Sequence, residues 1–232
     1  MGIQVGDVQV WRDIEFDYSV DRILETPPFP KWLDSRYSRD KLVDAIERLR
    51  PQVVEELDPR AMYRVIPIEE SGIEAYSPPE PILEAEYVCP AIVTAGSFSD
   101  SSGGEGYLFD DLVRDVLENV ALDLLTEQVG TRIVEETHEE GWNTTRFFAP
   151  GSGSVDWPLE KRAYLFEVLP AADIDVRLKD NGLVEPNKTI TCVLGMGPEV
   201  PQAPSLISCD GCPRLMDCDY ADPSESLASS SG

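Results

Sequence analysis

The amino-acid sequence predicts an α+β fold in which a mixed or antiparallel sheet packs against a few helices. Long segments repeat apolar residues at helical spacing, and shorter segments are rich in apolar and β-branched residues. Loops rich in Pro, Gly and Ser separate these segments. A few helices among a slightly larger number of strands, without an internal repeat, are typical of the α+β class.

The first quarter of the chain is predicted to lead from an extended segment into a helix. Residues 6–18 alternate in polarity, which indicates a strand or an extended arm. The Pro-rich and aromatic residues 26–38 are predicted to form an ordered loop. Residues 39–57 place apolar side chains at helical spacing, and Pro51 should kink or divide that helix.

Two strands are predicted next, on either side of a Pro-rich loop. The first covers residues 62–70. The second covers residues 86–96, which are apolar and β-branched, so this strand should be buried. Cys89 lies within it.

The longest helix is predicted over residues 107–138. Its apolar stripe is wide, which indicates a helix that packs on more than one side. A Gly- and Ser-rich loop with aromatic residues follows at 141–157, and Pro158 suits the first turn of the next helix. Residues 172–180 and 188–197 are predicted to be two further strands.

The length of 232 residues allows one large domain with a small addition. Residues 1–200 are predicted to form the domain, and residues 201–220 a cysteine-cluster loop. Residues 221–232 have the composition of a disordered tail.

The charge of the chain limits its partners. Forty-four acidic residues against nineteen basic ones give a formal net charge of −25, which repels nucleic acid and anionic lipid. No apolar run is long enough to span a membrane, and the N-terminal residues lack the pattern of a secretory signal. We therefore expect a cytoplasmic protein that binds neither nucleic acid nor membranes.

Several common enzyme motifs do not occur in the sequence. It contains no GxGxxG at a strand–helix junction, no GxxxxGK[ST] and no GxSxG. The one histidine, His138, lies in the acidic segment THEEG and is expected to face solvent at the end of the long helix. A Ser-His-Asp triad or a zinc hydrolase site is therefore not expected, because both depend on histidine side chains.

Three of the five cysteines are close together, in the segment CDGCPRLMDC. In a cytoplasmic protein, such clusters serve metal or redox chemistry more often than structural disulfides. Cys209, Cys212 and Cys218 could hold an iron–sulfur cluster or zinc, and each normally needs a fourth ligand. Cys192 is the best candidate for the fourth ligand, and Cys89 and Asp217 are weaker. The third interpretation is surface thiols that bind no metal.

A second candidate site begins at Arg146, in RFFAPGSGSVDWPLEKRAYLFEVL. The planar guanidinium of Arg146 could hold a carboxylate, and the glycines would let a ligand approach the backbone. The start of the helix near Pro158 offers unpaired N–H groups. The alternative is a flexible connector whose Arg146 pairs with one of the many acidic residues.

This segment, followed by LVEPNKTITCVLGMG, resembles the activation domain of cobalamin-dependent methionine synthase. It is closer still to the free-standing members of that family. The residues in the family's motif positions are Arg146, Pro150, Gly151, Trp157, Pro158, Leu159, Phe166, Leu169, Pro186, Thr189 and Thr191. The sequence departs from the family at Ser152, which replaces a tyrosine, and at Val193–Gly195, where a second tyrosine is missing.

The resemblance implies an activation-domain-like fold and binding of S-adenosylmethionine. It assigns Arg146, Pro150 and Gly151 to that ligand and an acidic residue of the long helix, for which Glu127 is our choice, to the ligand's ammonium group. The chain lacks the DxHxxG sequence of cobalamin-binding domains, so a separate corrinoid protein or methionine synthase core would present the cobalamin.

The implied function is that of an accessory protein for reductive reactivation of a corrinoid methyltransferase or methionine synthase. An electron-donor protein would be a further partner, and a [4Fe–4S] cluster would suit electron transfer. One alternative is a metal-stabilised binding module that docks on a corrinoid protein without redox or methyl-transfer activity. Another is a scaffold that keeps the fold without a ligand.

We predict that the cysteine cluster binds metal in protein purified without oxygen. A [4Fe–4S] cluster would give a brown protein with about four irons per chain, and a zinc site would give about one zinc per chain. Iron, sulfide and zinc assays distinguish the two, and the double variant Cys209→Ser/Cys212→Ser should lose the metal. Wild-type protein that contains neither metal would show that the cysteines are ordinary thiols.

Overall fold

The computed structural model describes residues 3–99, 108–153, 155–203, 205–206 and 218. These residues form an antiparallel sheet covered by helices, so the predicted α+β fold is confirmed. The strands are β1 (Val8–Arg12), β2 (Arg60–Arg64), β3 (Ile66–Pro67), β4 (Tyr87–Gly96), β5 (Asn143–Thr144), β6 (Arg177–Leu178), β7 (Val184–Glu185) and β8 (Lys188–Gly197). The helices are α1 (Val20–Glu25), α2 (Phe29–Ser35), α3 (Arg39–Glu56), α4 (Ile68–Ser71), α5 (Glu80–Leu83), α6 (Leu108–Glu139) and α7 (Ala163–Val168).

The main sheet has the strand order β1-β2-β4-β8-β5, and β3 pairs with β4 beside β2. Strands β4 and β8 form its centre, where Cys89 pairs with Leu194 and Ala91 with Cys192. Both strands are ten residues long and mostly buried, because helices or turns cover both faces of the sheet. Strands β6 and β7 form a separate hairpin.

Helix α6 separates two hydrophobic cores. Its residues Leu122, Leu125, Val129 and Ile133 pack on the sheet, whereas Val113, Leu117, Val120 and Leu124 pack against α1, α2 and α3. A third core, on the opposite face of the sheet, contains residues of α7 and the 3-10 turns beside it. The wide apolar stripe of α6 thus packs on two sides, as its sequence predicts. In the described part of the chain, no helix combines the length and apolar character that crossing a membrane requires.

Four predicted elements differ from the structure. The predicted strand 62–70 is interrupted after β2 and ends in helix α4. Residues 26–38 contain helix α2 and are not only a loop, because Phe29 and Trp32 become buried against α3 and α6. Pro51 does not divide α3, which is continuous from Arg39 to Glu56. The predicted strand 172–180 begins within a 3-10 turn that covers Ala171–Ile174, and only the two residues of β6 form a strand.

A polar cluster fixes the start of β8 to α6. The Nζ of Lys188 donates to Asp115 Oδ1 at 2.7 Å and to Asn119 Oδ1 at 2.8 Å, and lies 3.5 Å from Glu118 Oε2. Asp123 is half-buried one turn further along the same helix face, within electrostatic reach of Lys188. Loss of hydration raises the pKa of Asp123 to about 7, although Lys188 opposes the shift.

We predict that Asp123 makes the protein less stable as the pH rises from about 4 to 7. Its pKa is higher in the folded protein than the value of about 3.9 in an unfolded chain, so unfolding releases a proton in this range. Asp123→Asn should therefore gain stability relative to wild type as the pH increases. Urea unfolding at pH 5, 6, 7 and 8 measures the difference, with the exposed Asp44→Asn as the charge-matched control. A difference that does not change with pH would contradict this assignment.

Candidate functional site

The loop that begins at Arg146 lies against the edge of the sheet, just after β5. Thr145 N donates to Gly195 O at 2.9 Å, and Gly195 N donates to the Thr145 hydroxyl at 2.9 Å. Phe148 and Val193 exchange two backbone hydrogen bonds, each 2.9 Å long. These bonds with β8 hold the backbone on both sides of Arg146, so the predicted connector is an ordered segment here.

The side chains around Arg146 point to different cores. Phe147 packs on the α6 side of the sheet, and Phe148 is buried on the opposite side. Arg146 is half-buried, and its Cζ lies 5.1 Å from the centre of the Phe148 ring, which is within range of a cation–π interaction. The aromatic ring thus restricts the orientation of the guanidinium.

The Pro150-Gly151 turn closes directly after these residues. Gly151 N donates to Trp157 O at 2.7 Å, and Ser152 N donates to Ala149 O at 3.0 Å. Gly151 has a φ of +83°, a left-handed conformation that favours glycine. Its Cα also packs on Leu159, because an added Cβ would lie 2.7 Å from Leu159 Cδ1. Glycine is therefore needed here for its conformation and for its small size.

Trp157, whose carbonyl accepts a hydrogen bond from Gly151 N, buries its indole in the core next to the turn. This side chain is 1% exposed, and its Nε1 donates to Tyr76 O at 2.9 Å. The contact between Trp157 and Tyr76 is not predictable from the sequence, because the two residues are far apart in the chain and neither belongs to a periodic segment. A ligand of this turn would thus bind to its outer surface, beside Arg146, and not underneath it.

Glu127, the residue chosen for the ligand's ammonium group, pairs with a residue of another helix in the structure. Glu127 is exposed on α6, and its Oε2 lies 2.5 Å from Nη2 of Arg22 in α1. Arg146 contacts the ring of Phe148, which belongs to the core on the face of the sheet opposite to α6. The assignment of Glu127 and Arg146 to one ligand stays a prediction, and Glu127 would have to leave Arg22 to take part in it.

The cysteines named by the metal hypothesis occupy different environments. Cys192 is buried between the sheet and α6, and burial raises the pKa of its thiol to about 12. The pKa of the Cys89 thiol is also raised, by burial and by the neighbouring Cys192. These environments favour the neutral thiol, whereas metal ligands are thiolates, so Cys192 would have to lose its proton on binding a metal, and its assignment as the fourth ligand stays a prediction.

The cysteine cluster itself is only partly described. Cys218 is half-buried, and its carbonyl accepts a hydrogen bond from Lys31 Nζ at 3.2 Å, which places it beside α2. Cys209 and Cys212 lie outside the described residues, as does the weaker candidate Asp217. Within the ranges that the structure describes, no three His, Cys, Asp or Glu side chains form a group suited to a metal ion. Metal binding by the cluster stays a prediction.

Comparison with known proteins identifies the fold. No protein-family model matches the chain, and no curated protein sequence matches it. The crystal structure of the MetH reactivation domain bound to AdoHcy is similar over 86% of this chain and 81% of that chain, with a TM-score of 0.60 and 15% identity. This protein has the fold of that reactivation domain. At this identity the similarity shows a common fold, and the ligand has to be argued from the site.

We predict that Gly151→Ala destabilises the protein more than Gly182→Ala. Both glycines have a left-handed φ, +83° and +80°, but an added Cβ would approach Leu159 at Gly151 and meets no atom within 4 Å at Gly182. Gly182→Ala should therefore cost about 1 kcal/mol for its conformation alone. Urea unfolding compares the two variants, and equal losses would show that the Gly151 turn can move away from Leu159.

Proposed function

We propose that this protein binds S-adenosylmethionine at the Arg146 turn and serves in reductive reactivation of a corrinoid carried by another protein. The observation that carries the proposal is the position of this turn. The ordered segment Arg146–Gly151 lies beside β8, within a fold shared with a MetH reactivation domain that binds AdoHcy. The segment is also the part of the sequence that resembles the activation-domain family.

Arg146 supplies the charge that this ligand requires. S-adenosylmethionine carries a carboxylate, and a guanidinium binds a carboxylate through two parallel hydrogen bonds. Half-burial and contact with the Phe148 ring hold the Arg146 guanidinium in a restricted orientation. Less conformational freedom is then lost when the ligand binds.

The backbone of the turn complements this charge. Pro150 is buried and fixes the chain just before Gly151, which lacks a side chain that would block a ligand. Ser152 stands where the related family has a tyrosine, so one aromatic contact with the ligand is replaced by a hydroxyl. We expect weaker binding than a site with that ring would give.

The remaining ligand groups are cationic, and the protein is strongly acidic. S-adenosylmethionine carries an ammonium and a sulfonium, whose attraction to a chain with a net charge of −25 favours binding. Glu127 is paired with Arg22, so the ammonium partner in this proposal is left to other acidic groups near the turn.

The proposed reaction needs a partner that holds the corrinoid. One electron and the methyl cation of the sulfonium convert the partner's inactive cobalt(II) corrinoid into the methylated form, and AdoHcy is left. The electron comes from a donor protein, directly or through the cysteine cluster if that cluster holds iron and sulfur. The exposed position of the turn suits this scheme, because the methyl acceptor lies on a second protein.

We predict that S-adenosylmethionine and AdoHcy bind the wild-type protein with saturation, and that Arg146→Ala weakens binding at least about tenfold. A hydrogen bond to a charged group contributes about 1.5–3 kcal/mol, and about 1.4 kcal/mol is a factor of ten in affinity. Isothermal titration calorimetry measures both ligands. Arg177→Ala is the matched control, because Arg177 is 76% exposed and pairs with Glu185 on the β6–β7 hairpin.

Equal affinities of wild type and Arg146→Ala would remove Arg146 from the site, and no binding at all would remove S-adenosylmethionine from the proposal. The same variants can be added anaerobically to a methionine synthase core that lacks its reactivation domain, with an electron donor. Recovery of the methylcobalamin absorbance with wild type and not with Arg146→Ala supports reactivation. Complex formation without ligand binding or methylation would favour the docking module over the reactivation factor.

A further inference from the structure

A cavity of about 520 Å³ lies between β1 and helix α6, at the other edge of the sheet from the Arg146 turn. One wall consists of residues 10–15, from the end of β1 and the loop after it. The other consists of Gln128, Val129 and Arg132 of α6. Its volume is in the range of about 300–1,000 Å³ that is usual for sites of small molecules.

The guanidinium of Arg132 is held in place on the helix wall. Its Cζ lies 4.0 Å from the centre of the Trp11 ring, and its Nε donates to Glu136 Oε1 at 3.1 Å. Glu136 accepts a hydrogen bond from the Tyr63 hydroxyl at 2.7 Å, and the Tyr63 ring contacts Trp11 edge-on at 5.0 Å. These four side chains restrain one another, which fixes the orientation of the Arg132 fork.

The two Nη groups of Arg132 are the donors that a ligand could use. Among the described residues, only the Nε of Arg132 takes part in a hydrogen bond, with Glu136. Both Nη groups are therefore available to a ligand in the cavity. A planar guanidinium with two parallel donors recognises a carboxylate.

The opposite wall carries the opposite charge. Asp13 and Glu15 are exposed on the loop after β1. Asp13 has a φ of +51°, a left-handed conformation that is uncommon for residues other than glycine and that occurs often at functional sites. Arg12 also lines the cavity, but its guanidinium donates to the Asp173 carbonyl. The cavity thus has a cation on the helix wall and carboxylates on the loop wall.

Apart from Gln128, the remaining lining residues are apolar. Trp11 and Ile14 are half-buried and line the cavity together with Val10, whereas Val129 is almost fully buried. Together with Arg12, the lining contains two guanidiniums and two carboxylates, so its formal charges cancel. A ligand with a single net charge would be repelled by half of these groups, whereas a small zwitterion satisfies both walls.

We propose that this cavity binds a free α-amino acid with an apolar side chain. The carboxylate of the ligand pairs with Arg132, its ammonium with Asp13 or Glu15, and its side chain contacts Trp11 and Ile14. This site is separate from the Arg146 turn and does not depend on the function proposed for that turn.

The test uses L-phenylalanine and two analogues of the same shape, 3-phenylpropanoate, which lacks the ammonium, and phenethylamine, which lacks the carboxylate. We expect L-phenylalanine to bind the full-length protein with saturation in isothermal titration calorimetry, and both analogues to bind at least about tenfold more weakly. An analogue that binds as tightly as L-phenylalanine overturns the zwitterion assignment. Absence of saturable binding overturns the site.

Two variants test the walls separately. Arg132→Gln should weaken L-phenylalanine at least about tenfold, since it replaces a charged donor by a neutral one. Asp13→Gly removes a carboxylate and relieves the left-handed conformation, so the variant should fold at least as well as wild type and bind several-fold more weakly. Ser77→Gly, at another left-handed position with a φ of +51°, is the control and should not change affinity. Unchanged affinity in both wall variants contradicts the proposal.

Competition separates this site from the Arg146 turn. L-phenylalanine should not displace AdoHcy, and Arg146→Ala should not change the affinity for L-phenylalanine, because the two regions lie at opposite edges of the sheet. Competition between the two ligands would show that the cavity is not an independent amino-acid site. If AdoHcy fails to bind and L-phenylalanine still binds, only the reactivation function is lost.

Discussion

The packing of α6 across the sheet is the constraint on which the rest of the structure depends. Gly130 illustrates how close this contact is, because an added Cβ would lie 2.9 Å from Phe147 Cζ. The aromatic ring of Phe147 can reach the helix only where the helix has no side chain, and its backbone then continues into the Pro150-Gly151 turn. On the other flank of the same helix, Arg132 stacks on Trp11 at the mouth of the cavity. One helix therefore positions both candidate sites.

The few basic residues of this acidic chain are used in two ways. Three of them are nearly buried, and each is close to more than one carboxylate, as Arg60 is to Asp58 and Asp175. Since a buried cation is stable only when it is paired, these groups join elements together and are not accessible to ligands. Arg132 and Arg146 are more exposed than these three and each lies beside an aromatic ring, although Arg132 also pairs with Glu136. A guanidinium on an aromatic face is oriented while its edge can still bind an anion.

The limits of helices and strands could be predicted from the sequence where the pattern of apolar residues is long and continuous. Helix α6 and strands β4 and β8 lie within a few residues of their predicted limits, because each repeats apolar residues over ten or more positions. Helix α2 was missed because its prolines resemble a loop signal, although a proline is tolerated in the first turn of a helix. The turn at Gly151 was predictable from neighbouring residues alone. The partner of Glu127 was not, since the rotation of α6 relative to α1 is set by tertiary packing that no spacing along the chain encodes.

Because Trp157 is buried next to the Arg146 turn, a ligand-binding site at this turn would be shallow and open to solvent on one side. A ligand enclosed beneath the loop would need the volume that the indole fills, so any ligand of this turn must remain partly exposed on one side. Such a surface binds a small molecule weakly by itself, because little apolar area is removed from water. Contact with a second protein would cover the exposed side and exclude water from the reacting groups. In the function proposed above, a shallow site suits a methyl acceptor that arrives on a partner, and the affinity for S-adenosylmethionine would then increase when that partner is bound.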